Sequence, residues 1–243
     1  MKKLILAFML MATAVMAQSK TLVVYYSYTS NVHKIVTELR TQIETDVVRV
    51  EPAEKGLDYA ANNYAIGSAL ISAIRNNPDA PDSYPAIDPV NVNLDEYDTI
   101  IIGAPLWWSN MAAPLQTFLF NNGSKMAGKN IGLIVSSASS GISGVESDAR
   151  RLIPDGKFLT PSLWIRSSQT SNAAALISEW LKAIGYEKLA GIETIASDCI
   201  TDKDMTIYNL SGQRITGHDN MPKGIYIVRY TNGNKIQTKK IML

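Results

Sequence analysis

Leu22-Val-Val-Tyr-Tyr-Ser-Tyr-Thr-Ser-Asn31 is the stretch on which the reading of this 243-residue chain turns. Leu22 to Tyr26 is a continuous apolar and aromatic run rich in β-branched residues, as a strand buried on both faces requires. The five residues after it are small or hydroxyl-bearing, apart from Tyr28. Val32, Ile35, Val36 and Leu39 then recur at helical spacing, so the chain passes from strand to loop to helix in one short step. In that geometry the free N–H groups of the helix start converge on one point, and the helix macrodipole favours an anion there. Ser27, Thr29 and Ser30 add hydroxyls around the same point. The loop holds no Arg or Lys, although His33 and Lys34 follow in the first helical turn. Such a site suits a small phosphate monoester better than a long polyanion. The stretch is neither G-x-G-x-x-G nor G-x-x-x-x-G-K-[ST], so dinucleotide and P-loop readings lose their main support. An ordinary strand-to-helix turn with a Ser/Asn cap is the alternative from this loop alone.

Residues 25–32, Tyr-Tyr-Ser-Tyr-Thr-Ser-Asn-Val, resemble the phosphate loop of flavodoxins, roughly S-x-T-G-N-T, which grips the phosphate of flavin mononucleotide (FMN). The resemblance assigns Ser27, Thr29, Ser30, Asn31 and Val32 to that phosphate. Two positions depart from the pattern. Ser30 stands where the family usually has Gly, and Val32 where it usually has a hydroxyl residue.

Working outward, residues 46–50 alternate as a second strand, and residues 58–77 are predicted helical with Tyr64, Leu70, Ile71 and Ile74 on the apolar face. Pro78, Pro81, Pro85 and Pro89 mark an extended connection. Residues 97–103 and 130–136 read as buried strands, and residues 157–165 as a weaker one. Helices are predicted over 113–120, near 145–152 and over 173–184. Strands alternating with helices mean an α/β fold: a doubly wound parallel sheet in three layers, with helices on both faces. Ligands on such sheets sit beyond the carboxyl ends of the strands. The loops that matter are therefore those after Tyr26, Gly103 and Ser136.

The second of these loops, Ala104-Pro-Leu-Trp-Trp-Ser-Asn-Met111, carries two adjacent tryptophans that folding alone does not call for, since loops usually run over the surface. With residues 112–119 it resembles the P-x-W-W-G-x-M-P-x-P-x-x-T-F-L segment of a flavodoxin-like family. There the segment covers the isoalloxazine ring. Pro105, Trp107, Trp108, Met111, Pro114, Thr117, Phe118 and Leu119 match, and Ser109 replaces the usual Gly. The resemblance places Pro105, Leu106, Trp107 and Trp108 at the flavin ring. The loop leaves its strand at Gly103 and turns at Pro105, so successive side chains point in different directions, and Trp108 is expected as the closer stack. The alternative is a Trp pair that packs on a neighbouring helix or on the C-terminal module. The third loop, residues 136–144, resembles the Gly/Ser-rich loop at the other edge of the flavin, which implicates Ser137, Ser139, Ser140 and Gly141. A Ser/Gly linker reads the same way. The resemblance to flavodoxins spans about residues 20–185.

Met1-Lys-Lys, an apolar run to Met16 and the small residue Ala17 make a secretory signal peptide over residues 1–17. The run is too short for a membrane-spanning helix, which needs about 20 apolar residues, so no transmembrane segment is expected once the signal is removed. Removing Lys2 and Lys3 from 23 basic residues leaves 21 against 22 acidic ones, a balance that argues against nucleic acid as a partner. Cys199 is the only cysteine, and His33 and His218 are the only histidines, so neither an internal disulfide nor a Cys/His metal cluster is expected. After a linker over residues 186–204, the alternation of strands and helices breaks. Residues 206–215, 224–230 and 235–243 read as strands of a small β-rich module over residues 205–243. Its Tyr-Asn-Leu-Ser-Gly-Gln-Arg and Pro-Lys-Gly-Ile-Tyr-Ile-Val runs resemble the sorting modules at the ends of secreted Bacteroidetes-type proteins. A β-module without a transport role is the alternative.

The resemblance implies an exported FMN-binding protein of the periplasm, cell surface or exterior, acting in electron transfer with a redox partner protein or a small electron acceptor. No catalytic acid, base or nucleophile stands out in the three loops. An NAD(P)H-dependent FMN oxidoreductase of the quinone-reductase kind is one alternative. A cofactor-less binding module on the same scaffold is the other.

Overall fold

The computed structural model describes residues 19–189, 205–216, 221–222, 224–232 and 235–242. The expected signal peptide, Cys199 and His218 lie outside the described residues. The larger unit runs β1 (Thr21–Tyr25), α1 (Asn31–Gln42), β2 (Asp46–Arg49), α2 (Ala61–Asn76), β3 (Thr99–Trp107), β4 (Asn110–Met111), α3 (Ala113–Asn122), β5 (Asn130–Ser137), α4 (Ser143–Leu152), β6 (Lys157–Phe158), β7 (Leu163–Arg166), α5 (Ala173–Ala183) and α6 (Tyr186–Leu189).

The central strands pair in parallel in the order β2-β1-β3-β5, with β6 and β7 along the outer side of β5. Strand periodicity builds the layers on either side. Leu22, Val24, Ile100 and Ile102 face one way, into a core closed by Ile71 and Ile74 of α2, Leu115, Phe118 and Leu119 of α3, and Val145 and Ala149 of α4. Val23, Tyr25 and Ile101 face the other way, onto Val32, Ile35, Val36 and Leu39 of α1 and Ile177 and Trp180 of α5. This is the doubly wound three-layer sheet expected from the alternation. The chain reverses its direction of winding between β1 and β3, so the crevice for a ligand lies beyond the carboxyl ends of those two strands.

Four details differ from the sequence expectation. The outer strand is split into β6 and β7, because the register on β5 gains two residues between the Asn130–Lys157 and Ile134–Leu163 pairs. Helix α2 begins at Ala61, and its next three residues, Asn62, Asn63 and Tyr64, have left-handed backbone. Tyr64 is consequently 52 % exposed instead of facing the core, and Gly67, Ile71 and Ile74 supply the buried face. Strand β3 continues to Trp107, past the predicted end at Gly103. Finally, the first C-terminal strand resolves into a hairpin. β8 (Met205–Tyr208), β9 (Arg214–Ile215), β10 (Ile225–Asn232) and β11 (Lys235–Met242) form an antiparallel sheet in the order β11-β10-β8-β9, around Ile207, Tyr226, Val228 and Ile241.

The segment expected as a linker starts inside the larger core. Tyr186 is buried, and its hydroxyl lies 2.9 Å from Thr21 Oγ1 at the start of β1.

Candidate cofactor site

A cavity of about 400 Å³ opens where the sheet reverses, between the ends of β1 and β3, with the end of β5 along one side. Ser27, Tyr28, Thr29, Asn31 and Val32 line one end of it, and Pro105, Leu106, Trp107 and Trp108 the other. Its size falls within the range of about 300–1,000 Å³ usual for small-molecule sites.

At the first end, β1 stops at Tyr25 because the next residues turn away to start α1. Ser27 Oγ accepts the His33 amide at 3.2 Å, which caps the third residue of the helix from outside it. Ser30, the N-cap position, sits in the left-handed region at φ 64° and contributes no side-chain cap. A non-glycine residue there costs roughly 1–2 kcal/mol, which explains why a glycine suits this position in related loops. Ser30 does not line the cavity; its role is to turn the backbone. The amides of Asn31 and Val32 head the helix with no intrahelical acceptor, and no side chain caps them. Thr29 Oγ1 stands beside them, 3.2 Å from Asn31 Nδ2. Val32 lines the cavity but brings no side-chain donor. Its side chain is buried, with Cγ1 against Gly103.

The second end is a strand hairpin where the sequence pattern suggested a loop. Trp107 pairs with Asn110 and Leu106 with Met111, so β3 and β4 are joined by the two residues Trp108 and Ser109. Both have positive φ, 47° and 63°, which is type I′ hairpin geometry. That turn favours Asn-Gly; Trp-Ser adopts it at a cost of roughly 1–2 kcal/mol per residue. Tertiary bonds hold it. The Ala112 amide donates to the Pro105 carbonyl at 3.1 Å. Asp148 of α4, buried, accepts the Met111 amide and Asn110 Nδ2, each at 2.9 Å. Arg151 donates to Gln116 Oε1, and Gln116 Nε2 to the Met111 carbonyl. Gly144 leaves room for the Ser109 carbonyl, which would lie 1.8 Å from any Cβ at that position.

The third predicted loop reaches the cavity only at its base. Ser137 lines it, but Ser139, Ser140 and Gly141 are exposed and lie outside the lining. A local turn accompanies this: Ser137 Oγ donates to the Ser140 carbonyl at 2.8 Å. The same oxygen accepts from Trp164 Nε1 at 2.8 Å, so the hydroxyl is committed. Ser136, Ala138 and Ser167 complete this wall.

A sequence profile described as flavodoxin matches residues 20–184, the whole of the doubly wound unit apart from its ends. The chain belongs to the flavodoxin family. Two solved structures from Bacteroides, each described as a flavoprotein, share the fold. The one from Bacteroides eggerthii is 24% identical, with a TM-score of 0.56, and covers 69% of this chain and 98% of its own. The one from Bacteroides uniformis is 24% identical, with a TM-score of 0.52, and covers 66% and 99%. A Lactobacillus acidophilus flavoprotein in complex with FMN is 21% identical, with a TM-score of 0.49, and covers 64% and 99%. No curated protein matches.

This flavodoxin completes its site with residues that carry no sequence signal of their own. Tyr59 and Ala60, from the connection between β2 and α2, and Tyr64, from the first turn of α2, join the lining together with Tyr28. Trp107 is the hub of an aromatic cluster, with ring centroids 4.8 Å from Tyr59, 5.7 Å from Tyr26 and 6.5 Å from Tyr28. Trp108 is less enclosed, at 38 % exposure, with Tyr64 edge-on at 6.2 Å. A cluster of tyrosines could have drawn attention to residues 59–64, but nothing in their spacing links them to Trp107.

The phenols of Tyr26, Tyr28 and Tyr59 are held neutral. Burial pushes Tyr26 far above the ordinary tyrosine value and also raises Tyr59. Tyr28 is raised mainly by the hydrogen bond that it donates to Asp58, 2.8 Å away, and the same bond holds the Asp58 carboxyl low. The flavodoxin's donor set and its rings fit an aromatic ligand that carries a phosphate. Helix-end amides and a hydroxyl at one end would suit an anion, the rings at the other would suit a planar group, and the cavity joins them.

Proposed function

We propose that this flavodoxin binds FMN non-covalently and serves in electron transfer outside the cytoplasm. The observation that carries the reading is that the donors of residues 27–32 and the Trp107–Trp108 pair open onto one cavity. The amides of Asn31 and Val32 and the hydroxyl of Thr29 hold the phosphate, with the dipole of the 12-residue α1 supplying the positive field. Pro105, Leu106, Trp107, Trp108 and Ser137 border the ring. When bound, FMN supplies the redox chemistry, and the protein supplies position and electrostatics.

The chain's own groups set the direction of that tuning. Phenols and indoles surround the ring end, and among the described residues no Arg or Lys lines the cavity. An environment of this kind disfavours added negative charge and lowers the reduction potential. Residues 1–17 and the module from Met205 onward support export, the first as a cleaved signal and the second as an address. The near-neutral balance of charge favours a partner found without strong electrostatic steering.

Titrating purified mature protein with FMN, followed by visible absorption and flavin fluorescence, tests the reading. The expected result is saturable binding with quenched emission. Absence of binding would leave a cofactor-less binding module. Sustained NAD(P)H oxidation by the FMN-loaded protein would make it a reductase instead of a carrier.

A further inference from the structure

We infer that helix α2 positions the ring end of the site, with Gly67 as the seat of the Trp108 indole and Arg75 as the clamp on its backbone. The inference rests on the FMN reading of the cavity. Gly67 is buried in the interior of α2, where a glycine is a net cost to the helix relative to alanine. The compensation lies across the helix surface. A Cβ at Gly67 would lie 2.8 Å from Trp108 Cζ3 and 2.9 Å from Cη2, closer than real Cβ atoms come, and 3.7 Å from Trp107 Cε3. Both indoles therefore converge on the one position in α2 that has no side chain.

Two turns further along, Arg75 reaches the same hairpin from the other side. Its Nε donates to Asn110 Oδ1 at 2.7 Å, and an Nη donates to the Trp108 carbonyl. Asn110 passes the constraint on to Asp148 through its own amide. Trp108 is thus gripped at the ring by Gly67 and at the carbonyl by Arg75, although its left-handed backbone would not hold the turn unaided. The ring is 38 % exposed, so it has room to be displaced if its seat is filled.

A methyl group at Gly67 has opposite consequences for the helix and for the site. Gly67→Ala favours the helix, so apo-protein stability is unchanged or rises. Trp108 must shift, so FMN affinity falls on the order of tenfold, the value of one aromatic stack. A packing role alone would move stability instead. The experiment compares Gly67→Ala in the wild-type and Trp108→Ala backgrounds, by FMN titration, thermal unfolding of the apo protein and near-ultraviolet circular dichroism. Affinity loss that is present with Trp108 and absent without it, with apo stability maintained, supports the assignment. Equal losses in both backgrounds, or no loss in either, overturn it. If the wild-type protein binds no FMN, the functional reading fails, and the circular dichroism decides the seat alone. Altered tryptophan bands on Gly67→Ala that require Trp108 support the seat; unaltered bands overturn it.

Discussion

At one end of the cavity, residues 27–32 turn through Ser30 at φ 64°; at the other, the chain reverses through Trp108 and Ser109 at φ 47° and 63°. Neither turn uses the glycine that its backbone favours, yet the two are sustained differently. The turn at Ser30 is held mainly by its own neighbours, with Ser27 capping the His33 amide six residues on, and takes one bond from β2, where Arg49 donates to the Ser27 carbonyl at 3.2 Å. The ring-side turn is held from α2, α3 and α4, through Arg75, Gln116 and Asp148. A locally held turn is written in consecutive residues. A turn held from three helices exists only once those helices have packed.

Removing one anchor from each end sharpens this contrast most. Asp148→Ala strips the acceptor from two hairpin donors and from Arg151, and is expected to cost about 3 kcal/mol in urea unfolding. Ser27→Ala, the loss of one helix cap, is expected to cost about 1 kcal/mol. Similar losses would mean that the two turns are held alike. The tryptophans come next. Trp107→Ala is expected to lower stability by about 2 kcal/mol because it removes the hub of the tyrosine cluster. Trp108→Ala should leave stability nearly intact and cost about 1 kcal/mol of FMN affinity. Isothermal titration beside thermal unfolding separates the two, and the reverse pattern would exchange their roles.

A smaller effect divides the ends by ligand. Thr29→Ala should weaken FMN binding by about 1 kcal/mol and leave riboflavin binding unchanged, since only FMN carries the phosphate. Equal weakening of both would place the phosphate elsewhere. The smallest expected change is a gain. Ser30→Gly relieves the left-handed strain but adds entropy to the unfolded chain, for a net stabilisation of about 0.5 kcal/mol. A loss of stability would show that the Ser30 side chain contributes a contact in solution.

The sequence by itself determined the doubly wound sheet, because the buried runs of β1, β3 and β5 and the helical spacing of α1 and α5 are repeated local patterns, each readable within a dozen residues. It also made one end of the cavity legible, since Ser27, Thr29, Asn31 and Val32 lie close together in the chain. Only the tertiary structure decided the ring end. Ala104 and Pro105 extend β3 because β5 pairs with it as far as Ser136 opposite Pro105, a partner 31 residues away that no local pattern announces, and Leu106 and Trp107 extend it further by pairing with β4. Tyr59 and Tyr64 enter the cavity for the same reason, delivered by a left-handed turn at residues 62–64 that helical periodicity cannot foresee. Ser139, Ser140 and Gly141 lie outside it, where Ser137 closes a turn with its hydroxyl. Local propensity names the elements; the bonds made once those elements pack choose which residues line the cavity.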